Sequence, residues 1–330
     1  MSAPASLTEF VITCIGGLEE VAAEEMRVRL GSAASAVRPE RGGVGRVFFR
    51  YRASPRRLLE LRCPTRLQAI AAQAHDVTVG RPGLERTLRC LRQLPLESVQ
   101  RIARACDPGV DGERFHLDVS LRGNHRFETG ELRARAETLL RSELGLQPGS
   151  GSGSPLRLSL QVRRRRALVS VQLGPGRPGG DPRREGWPGP AASSVARLLD
   201  LDDQDLLVAV PHKGRAGAWV GRGDGSGLAV GADRLRLPVA DETAAAALLV
   251  PGAGAENLEE EMADPTRVVA PGGVVAMLTP PGPELGTRLR RSGLPLEALA
   301  SLPYHVNRKK WGLFLLERLE GRGCLPPRAS

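Results

Sequence analysis

The sequence is poor in aromatic residues and contains no long apolar run. Phenylalanine, tryptophan and tyrosine together make up 3% of the 330 residues. No stretch reaches the roughly 20 consecutive apolar residues that cross a bilayer as a helix. The first residues, MSAPASLTEF, lack the basic and apolar regions of a secretory signal. We therefore expect neither a membrane segment nor secretion.

Cysteine is also scarce, and its spacing follows no ligand or disulfide pattern. The five cysteines are odd in number and form no C-x-x-C pair, which argues against a disulfide framework and against a zinc site. This usage predicts a reducing compartment: the cytoplasm, or the nucleus if the cell is eukaryotic. We expect no bound metal.

Positive charge comes almost entirely from arginine, which supplies 44 of the 47 basic residues in a chain of net charge +10. Its distribution is uneven. Residues 38–101 carry 14 arginines against 5 acids, whereas residues 190–300 carry 10 basic residues against 15 acids. A basic front half joined to an acidic back half predicts a polyanion-binding surface in front.

The segment from Phe115 to Leu173 has the clearest local pattern. It contains stretches in which apolar and polar side chains alternate, as in half-buried strands, and one stretch of apolar residues at helical spacing. Thr129 is placed to cap that helix. The predicted order is strand, helix, strand, strand, over residues 115–121, 131–144, 156–162 and 167–173.

Arginines cluster where these strands end. Between the first strand and the helix lie Arg122, Asn124, His125 and Arg126, and between the last two strands lie Arg163, Arg164, Arg165 and Arg166. Guanidinium groups near the unpaired N–H groups of a helix start are suited to phosphate. We therefore predict that these residues form a phosphate-binding surface.

The residues before this segment predict a small ferredoxin-like α+β unit. Its predicted strands cover residues 8–15, 44–51 and 66–72, and its predicted helices cover residues 18–30 and 55–62. Two further helices, at 84–94 and 96–106, are separated by Pro95.

This order resembles that of THUMP-domain RNA methyltransferases, which modify guanine N2 in tRNA or rRNA. The matching residues are Gly17-Leu18-Glu19-Glu20, Gly45-Arg46-Val47-Phe48-Phe49, and RGNHRF at 122–127 before a helix carrying Glu131 and Leu132. The resemblance implies an N-terminal ferredoxin-like domain at residues 1–75 and a THUMP domain, an RNA-binding module, at 76–175. It also implies tRNA as the partner.

The back half is similar to the S-adenosylmethionine-dependent methyltransferase domain of the same family. A Gly/Pro-rich linker at 176–189, with Arg183 and Arg184 as further RNA contacts, precedes it. The similarity implies an α/β fold with a shortened Rossmann-like domain at 190–320, a tail at 321–330, and S-adenosylmethionine as cofactor. It rests on a helix at 190–200, strands at 205–210 and 244–250, an APGG turn into a strand at 267–279, and a closing strand at 311–318.

The residues that this family uses to hold the cofactor are only partly present. An acidic residue and a Gly-x-Gly turn should follow the strand at 205–210, but only Gly214 and Gly217 remain as turn candidates. Asp224 is the candidate for the ribose hydroxyls, and Asp241 or Asp233 for the adenine side.

The spacing in this region is also short. About 20 residues separate Val210 from Ala232, whereas two strands and two helices need about twice that number. We therefore predict the loss of at least one crossover helix.

The catalytic motif has lost its hydrogen-bond acceptor. The family uses Asn or Asp, an apolar residue, Pro and an aromatic to hold the target amine and stack on the base. The matching residues here are Leu249, Val250, Pro251 and Gly252, which keep the proline but supply neither a side-chain acceptor nor a ring. We therefore predict no catalytic residue and weak or absent catalysis.

Three hypotheses follow. The first is an RNA-binding protein, with tRNA as its RNA, whose methyltransferase half is degenerate. The second is an active tRNA methyltransferase with a rearranged site. The third is a scaffold whose acidic back half docks a protein, such as the small methyltransferase-activator protein used by some relatives of this family.

Overall fold

The computed structural model shows two β-sheets, one in each half of the chain. It describes residues 8–40, 45–149, 154–174, 188–202, 204–210, 218–222, 227–230, 237, 239–249, 258–279, 287, 289, 292–306 and 309–320. Within these ranges, no helix has both the length and the apolar character needed to cross a membrane.

The front half forms an eight-stranded sheet covered by helices. Its strands are β1 (Glu9–Cys14), β2 (Ala34–Glu40), β3 (Gly45–Tyr51), β4 (Arg66–Ala74), β5 (Val110–Arg122), β6 (Gln147–Pro148), β7 (Ser154–Arg163) and β8 (Arg166–Gln172). Its helices are α1 (Glu19–Leu30), α2 (Arg81–Arg92), α3 (Leu96–Cys106) and α4 (Thr129–Ser142), with 3-10 helices at Gly31–Ala33 and Pro55–Glu60. The predicted order of strand, helix, strand, strand after residue 110 is confirmed. Helix α4 begins at Thr129, however, so Glu128 takes the N-cap position predicted for Thr129.

The strand order β2-β3-β1-β4-β8-β7-β5-β6 joins the two predicted front units into one sheet. Strands β1 to β4 have ferredoxin-like connectivity, with the 3-10 helix at Pro55–Glu60 in place of the second helix. Strand β4 then pairs antiparallel with β8, Gln68 opposite Gln172, and one apolar cluster extends under both units. The predicted boundary at residues 75 and 76 therefore lies within a continuous sheet and core.

The face of this sheet opposite helices α1 to α4, here called the open face, is concave. Arg46 on β3 donates a 2.6 Å hydrogen bond to Gln161 on β7. Four strand spacings separate β3 from β7, which is roughly 19 Å in a flat sheet, so the sheet must curve to bring the two side chains together. A small apolar cluster of Val11, Phe48, Ile70 and Leu168 lies on this face.

In the part of the chain that the structure describes, the back half forms a seven-stranded sheet with a helix packed on each face. Its strands are β9 (Leu206–Val210), β10 (Ala218–Arg222), β11 (Gly227–Val230), β12 (Ala244–Leu249), β13 (Val269–Thr279), β14 (Leu296–Val306) and β15 (Lys309–Arg318), and its helices are α5 (Pro188–Leu198) and α6 (Leu258–Val268). Val195 of α5 packs with Leu248 on one face, and Met262 of α6 packs with Met277 on the other. These contacts give the α/β three-layer arrangement of a doubly wound sheet.

The strand directions in this sheet are mixed. The order is β11-β10-β9-β12-β13-β15-β14. Strands β9, β12 and β13 are parallel, and the chain order reverses between β9 and β12, as in doubly wound folds. Strand β10 instead runs antiparallel to β9, with Arg222 opposite Leu206. Since antiparallel neighbours need no crossover, this pairing agrees with the predicted loss of a crossover helix.

The two halves pack against each other through α5. Ile15 of the front half belongs to the same apolar cluster as α5 and the back sheet. Burial raises the pKa of the Cys63 thiol, which hydrogen-bonds Ser194 of α5, to about 12. Beside this contact, the buried Glu25 carboxylate accepts the backbone N–H groups of Arg62 and Cys63, at 2.9 Å each. The interface therefore combines apolar packing with a satisfied buried carboxylate.

The sequence pattern missed five strands, namely β2, β6, β10, β11 and β14, and one predicted helix is shorter and tighter than expected. Strands β2 and β14 lie at sheet edges and contain Pro39 and Pro303, which is where strands tolerate proline. The helix predicted at residues 55–62 is the 3-10 helix Pro55–Glu60.

Candidate nucleic-acid interface

The hairpin between β7 and β8 places four consecutive arginines at one end of the front sheet. Arg163 pairs with Arg166 across the ladder, which leaves Arg164 and Arg165 as the two turn residues. Arg164 has a φ of 54°, in the left-handed region that favours glycine. Its backbone N–H donates to the carbonyl oxygen of Arg122 at 2.7 Å, which ties the turn to the end of β5.

The loop after β5 lies directly against this turn. Strands β5 and β7 are parallel, and Arg122 is the register partner of Arg163. Gly123 follows with a φ of 125°, and a Cβ there would lie 3.3 Å from both Cα and N of Arg164. The two loops predicted to bind phosphate therefore meet, and glycine allows their backbones to approach.

A pocket of about 280 Å³ opens on the concave face beside the hairpin. It is here called the arginine cleft. Its lining contains four arginines from three strands and one turn, one carboxylate, one amide and two apolar side chains. The lining residues are Glu40, Arg46, Phe48, Gln161, Arg163, Arg164, Arg166 and Leu168.

Hydrogen bonds and ring packing hold these guanidinium groups in position. Arg163 lies 3.3 Å from a Glu40 carboxylate oxygen. Arg166 donates to Gln73 at 2.7 Å, and its guanidinium carbon lies 5.4 Å above the centroid of the Phe48 ring. A cation over an aromatic face is held by the ring's quadrupole without losing its charge. The cleft is therefore preorganised rather than formed by freely rotating side chains.

The charge in the cleft is strongly positive. The pKa of Arg46 is lowered from its usual value, first by burial and then by the positive charge of Arg163; Glu40 opposes this effect, while Arg122 and Arg166 add to it. Four lining guanidiniums against one carboxylate leave an excess of positive charge. Because like charges this close repel, an anion bound among them lowers the electrostatic energy.

Several residues predicted for this surface do not line the cleft. Arg165 is 74% exposed and pairs with Asp76 at 3.0 Å. Both ring nitrogens of His125 are buried without a hydrogen-bond partner among the described residues, and its ring packs against Phe127 with centroids 5.1 Å apart. The structure therefore gives His125 a packing position in the loop.

The remaining predicted residues lie beside the cleft or outside the described ranges. Asn124 and Arg126 are exposed on the β5–α4 loop, where the backbone N–H of Arg126 donates to Val79 at 2.8 Å. Arg183 and Arg184 lie outside the described residues.

Sequence reasoning missed Arg46, Phe48 and Gln161 as members of this site. Arg46 and Phe48 alternate with core residues along GRVFFRY, a pattern that places them together on the non-core face of a strand. Their meeting with β7, more than 100 residues away in the chain, depends on strand order and sheet curvature, which the local pattern does not encode.

The second predicted site lies at the edge of the back sheet where the parallel strands end. The described terminal residues there are Val210, Leu249 and Thr279, and none of them is acidic. The Leu249 side chain is 2% exposed and belongs to the core cluster that includes Met277. An apolar, buried side chain accepts no hydrogen bond from an amine, so Leu249 cannot serve as the acceptor for an amine.

Asp241 occupies a different position from the one its predicted role requires. It pairs with Arg267 and precedes β12, at the amino end of that strand. Cofactors of doubly wound sheets bind at the carboxyl ends of the strands. The other predicted residues of this site lie outside the described ranges: Val250, Pro251, Gly252, Gly214, Gly217, Asp224, and Asp233, the alternative to Asp241.

No protein-family model and no curated protein matches this sequence. Among solved structures, the chain is similar to TrmN from Thermus thermophilus, with 18% identity and a TM-score of 0.58 over 94% of this chain and 100% of that chain. It is also similar to a predicted N6-adenine-specific DNA methylase from Listeria monocytogenes str. 4b F2365, with 14% identity and a TM-score of 0.54 over 93% and 95% of the two chains. The complex of the methyltransferase-like SMU.472 with SAH gives 12% identity and a TM-score of 0.54 over 96% and 99%. At these identities the likeness establishes the fold, and the predicted α/β fold class is confirmed.

Proposed function

We propose that this protein binds RNA, specifically tRNA, through the arginine cleft, and that its methyltransferase-like half does not transfer methyl groups. The observation that carries the first part is the convergence of four guanidiniums on one concave pocket opposed by a single carboxylate. The resemblance of the front half to THUMP-containing tRNA guanine-N2 methyltransferases supports tRNA as the RNA.

The chemistry of the cleft favours a phosphodiester backbone as its ligand. Guanidinium groups bind phosphate oxygens through paired, charge-assisted hydrogen bonds. Such contacts position a nucleic acid without reading its bases. On the same face Val11, Phe48, Ile70 and Leu168 form a small apolar cluster, but each is less than 10% exposed, so the guanidinium groups supply the contact surface.

The back half supports binding without catalysis. The described residues at its carboxyl edge provide no acidic group for the cofactor, and Leu249 packs in the core where the family places the amine acceptor. The fold itself persists because the apolar residues that pack α5 and α6 onto the sheet are present.

A tRNA titration of the intact chain tests the proposal. Labelled tRNA should bind with an affinity that falls steeply with salt. A variant with alanine at Arg163, Arg164, Arg165 and Arg166 should bind more weakly and with a flatter salt dependence. Unchanged affinity in this variant, with an unchanged melting temperature, would exclude the cleft as the RNA site.

A second candidate is an active methyltransferase with a rearranged site. It is favoured by the parallel strands β9, β12 and β13, which end at one edge of the sheet, and by the likeness to the SAH complex. Calorimetry with S-adenosylmethionine separates the two. Micromolar binding together with methyl transfer to tRNA would establish the second candidate, and no heat of binding would support the first.

A further inference from the structure

A second cavity, of about 570 Å³, lies at the far end of β1 and β3 from the arginine cleft. It is here called the Tyr51 pocket. Phe10, Tyr51, Ser98 and Ile102 are buried residues of its lining, and Arg52 and Arg101 are exposed at its rim. Its volume is within the range of small-molecule sites.

The Tyr51 pocket and the arginine cleft are separate. Tyr51 follows Arg46 by five residues along β3, roughly 16 Å in an extended strand. Because the spacing is odd, the two side chains also project from opposite faces of the sheet. A ligand in one site therefore leaves the other open.

The Tyr51 hydroxyl has no hydrogen-bond partner among the residues that the structure describes. Tyr51 is 2% exposed, and its hydroxyl oxygen is buried. Burial also raises the pKa of this phenol, so it stays protonated and able to donate. A buried polar group left unsatisfied destabilises the fold, and phenylalanine at this position would avoid that cost. A ligand that fills the pocket and bonds to the hydroxyl removes this cost.

The rim of the pocket is positively charged. No ion pair joins Arg52 or Arg101 to an acidic side chain in the described part of the chain. Arg57 lies near enough to Tyr51 to lower its pKa against the effect of burial. The pocket therefore combines an apolar aromatic floor, one polar group and a cationic entrance.

We propose that the Tyr51 pocket binds a nucleotide. Its base would lie in the pocket near Phe10 and Tyr51, with the Tyr51 hydroxyl bonded to the base edge and the phosphate at Arg52 and Arg101. A bare phosphate leaves the aromatic floor unused, and an apolar molecule leaves the hydroxyl and both guanidiniums without partners. Two sources supply this chemistry: a free mononucleotide, or one unpaired nucleotide of a bound RNA.

Titration of the full chain with AMP, GMP, CMP and UMP, and with a single-stranded RNA oligonucleotide, tests the proposal. The key variant is Tyr51→Phe. Without ligand its melting temperature should equal or exceed that of the parent, because an unsatisfied hydroxyl is removed. With ligand, its affinity should fall about 3- to 10-fold, the effect of one hydrogen bond.

Arg101→Gln gives a second test that does not touch the core. It should reduce the preference for AMP over adenosine, while Arg89→Gln, a matched change at an exposed position of α2, should leave that preference unchanged. If only the oligonucleotide binds in a Tyr51-dependent way, the source is RNA, and if mononucleotides also bind, free nucleotides are a source.

The inference is overturned if Tyr51→Phe and Arg101→Gln change the binding of neither ligand class. It is also overturned if no nucleotide or oligonucleotide, at millimolar concentration, shifts the NMR resonances of the Tyr51 ring. Neither result bears on RNA binding by the arginine cleft, because that proposal is tested separately with the variants of the β7–β8 hairpin.

Discussion

The two turn residues of the β7–β8 hairpin form a matched pair for testing which arginines contact RNA. Arg164 lines the arginine cleft, whereas the neighbouring Arg165 pairs with Asp76 and is 74% exposed. Both side chains carry one charge and neither is buried. Arg164→Gln and Arg165→Gln therefore remove the same charge from the same turn but from different surfaces.

The expected effect is larger on the salt dependence than on the affinity. Each lost phosphate contact lowers the slope of log K against log salt by about 0.7–1. An exposed ion pair contributes only ~0.2–1 kcal/mol, so the affinity at moderate salt should fall at most about fivefold. We expect this change of slope for Arg164→Gln and a change near zero for Arg165→Gln.

Fluorescence anisotropy of labelled tRNA, at salt concentrations from about 50 to 200 mM, measures both slopes. Combining Arg164→Gln with Arg163→Gln and Arg166→Gln should lower the slope by roughly 2–3, with one increment for each contact. Equal slopes for the two single variants, or a larger change for Arg165→Gln, would refute the assignment of RNA binding to the cleft.

Three further predictions concern stability. Glu25→Ala should lower the free energy of unfolding in urea by about 3 kcal/mol, because two backbone N–H groups lose their acceptor; a loss below about 1 kcal/mol would contradict this. Gly83→Ala should destabilise the fold by about 1–3 kcal/mol, since its Cβ would lie 1.9 Å from the Thr78 carbonyl oxygen. The Cβ of Gly130→Ala meets no atom within 4 Å, so this variant should be neutral or stabilised by up to about 1 kcal/mol. Equal melting temperatures for the two variants would contradict this prediction. The Cys63 thiol has a pKa of about 12 in the folded chain, against ~8.5 for a free thiol. Its contribution to stability is therefore complete below pH ~8.5 and is lost as the pH rises towards 12. Labelling of the Cys63 thiol at pH 8 should be slow until the chain unfolds.

Local sequence pattern predicted most of the elements around the arginine cleft, but not β2, which carries Glu40. The alternation in β5, β7 and β8 and the helical spacing in α4 gave these elements and the loops between them. The same pattern failed for β2 and β14, because an edge strand needs only one partner and tolerates residues such as Pro39 and Pro303 that are unusual in central strands.

The composition of the cleft was only partly predictable. The hairpin arginines were found because they are consecutive in sequence. Arg46 was not found, since it reaches the hairpin through the curvature of a sheet in which β1, β4 and β8 separate its strand from β7. Arg165 was predicted to belong to the phosphate-binding surface because it is adjacent in sequence to the other hairpin arginines, but in the structure its side chain pairs with Asp76. Adjacency in sequence is therefore a weaker guide at a tight turn than within a strand.

The direction of β10 connects the preserved fold of the back half with the predicted absence of catalysis. Packing of the sheet depends on which side chains face α5 and α6, and an antiparallel strand presents alternating faces as well as a parallel one. Cofactor binding depends on where each strand ends. Strand β10 ends at Arg222, opposite the first residue of β9, so the chain leaves it at the edge away from Val210 and Leu249. A strand reversal of this kind retains the core, while β10 ends at the edge of the sheet opposite to the one where the parallel strands end. If S-adenosylmethionine nevertheless binds, Asp224→Asn should leave its affinity unchanged, and a loss of tenfold or more would show that the chain returns to that edge after β10.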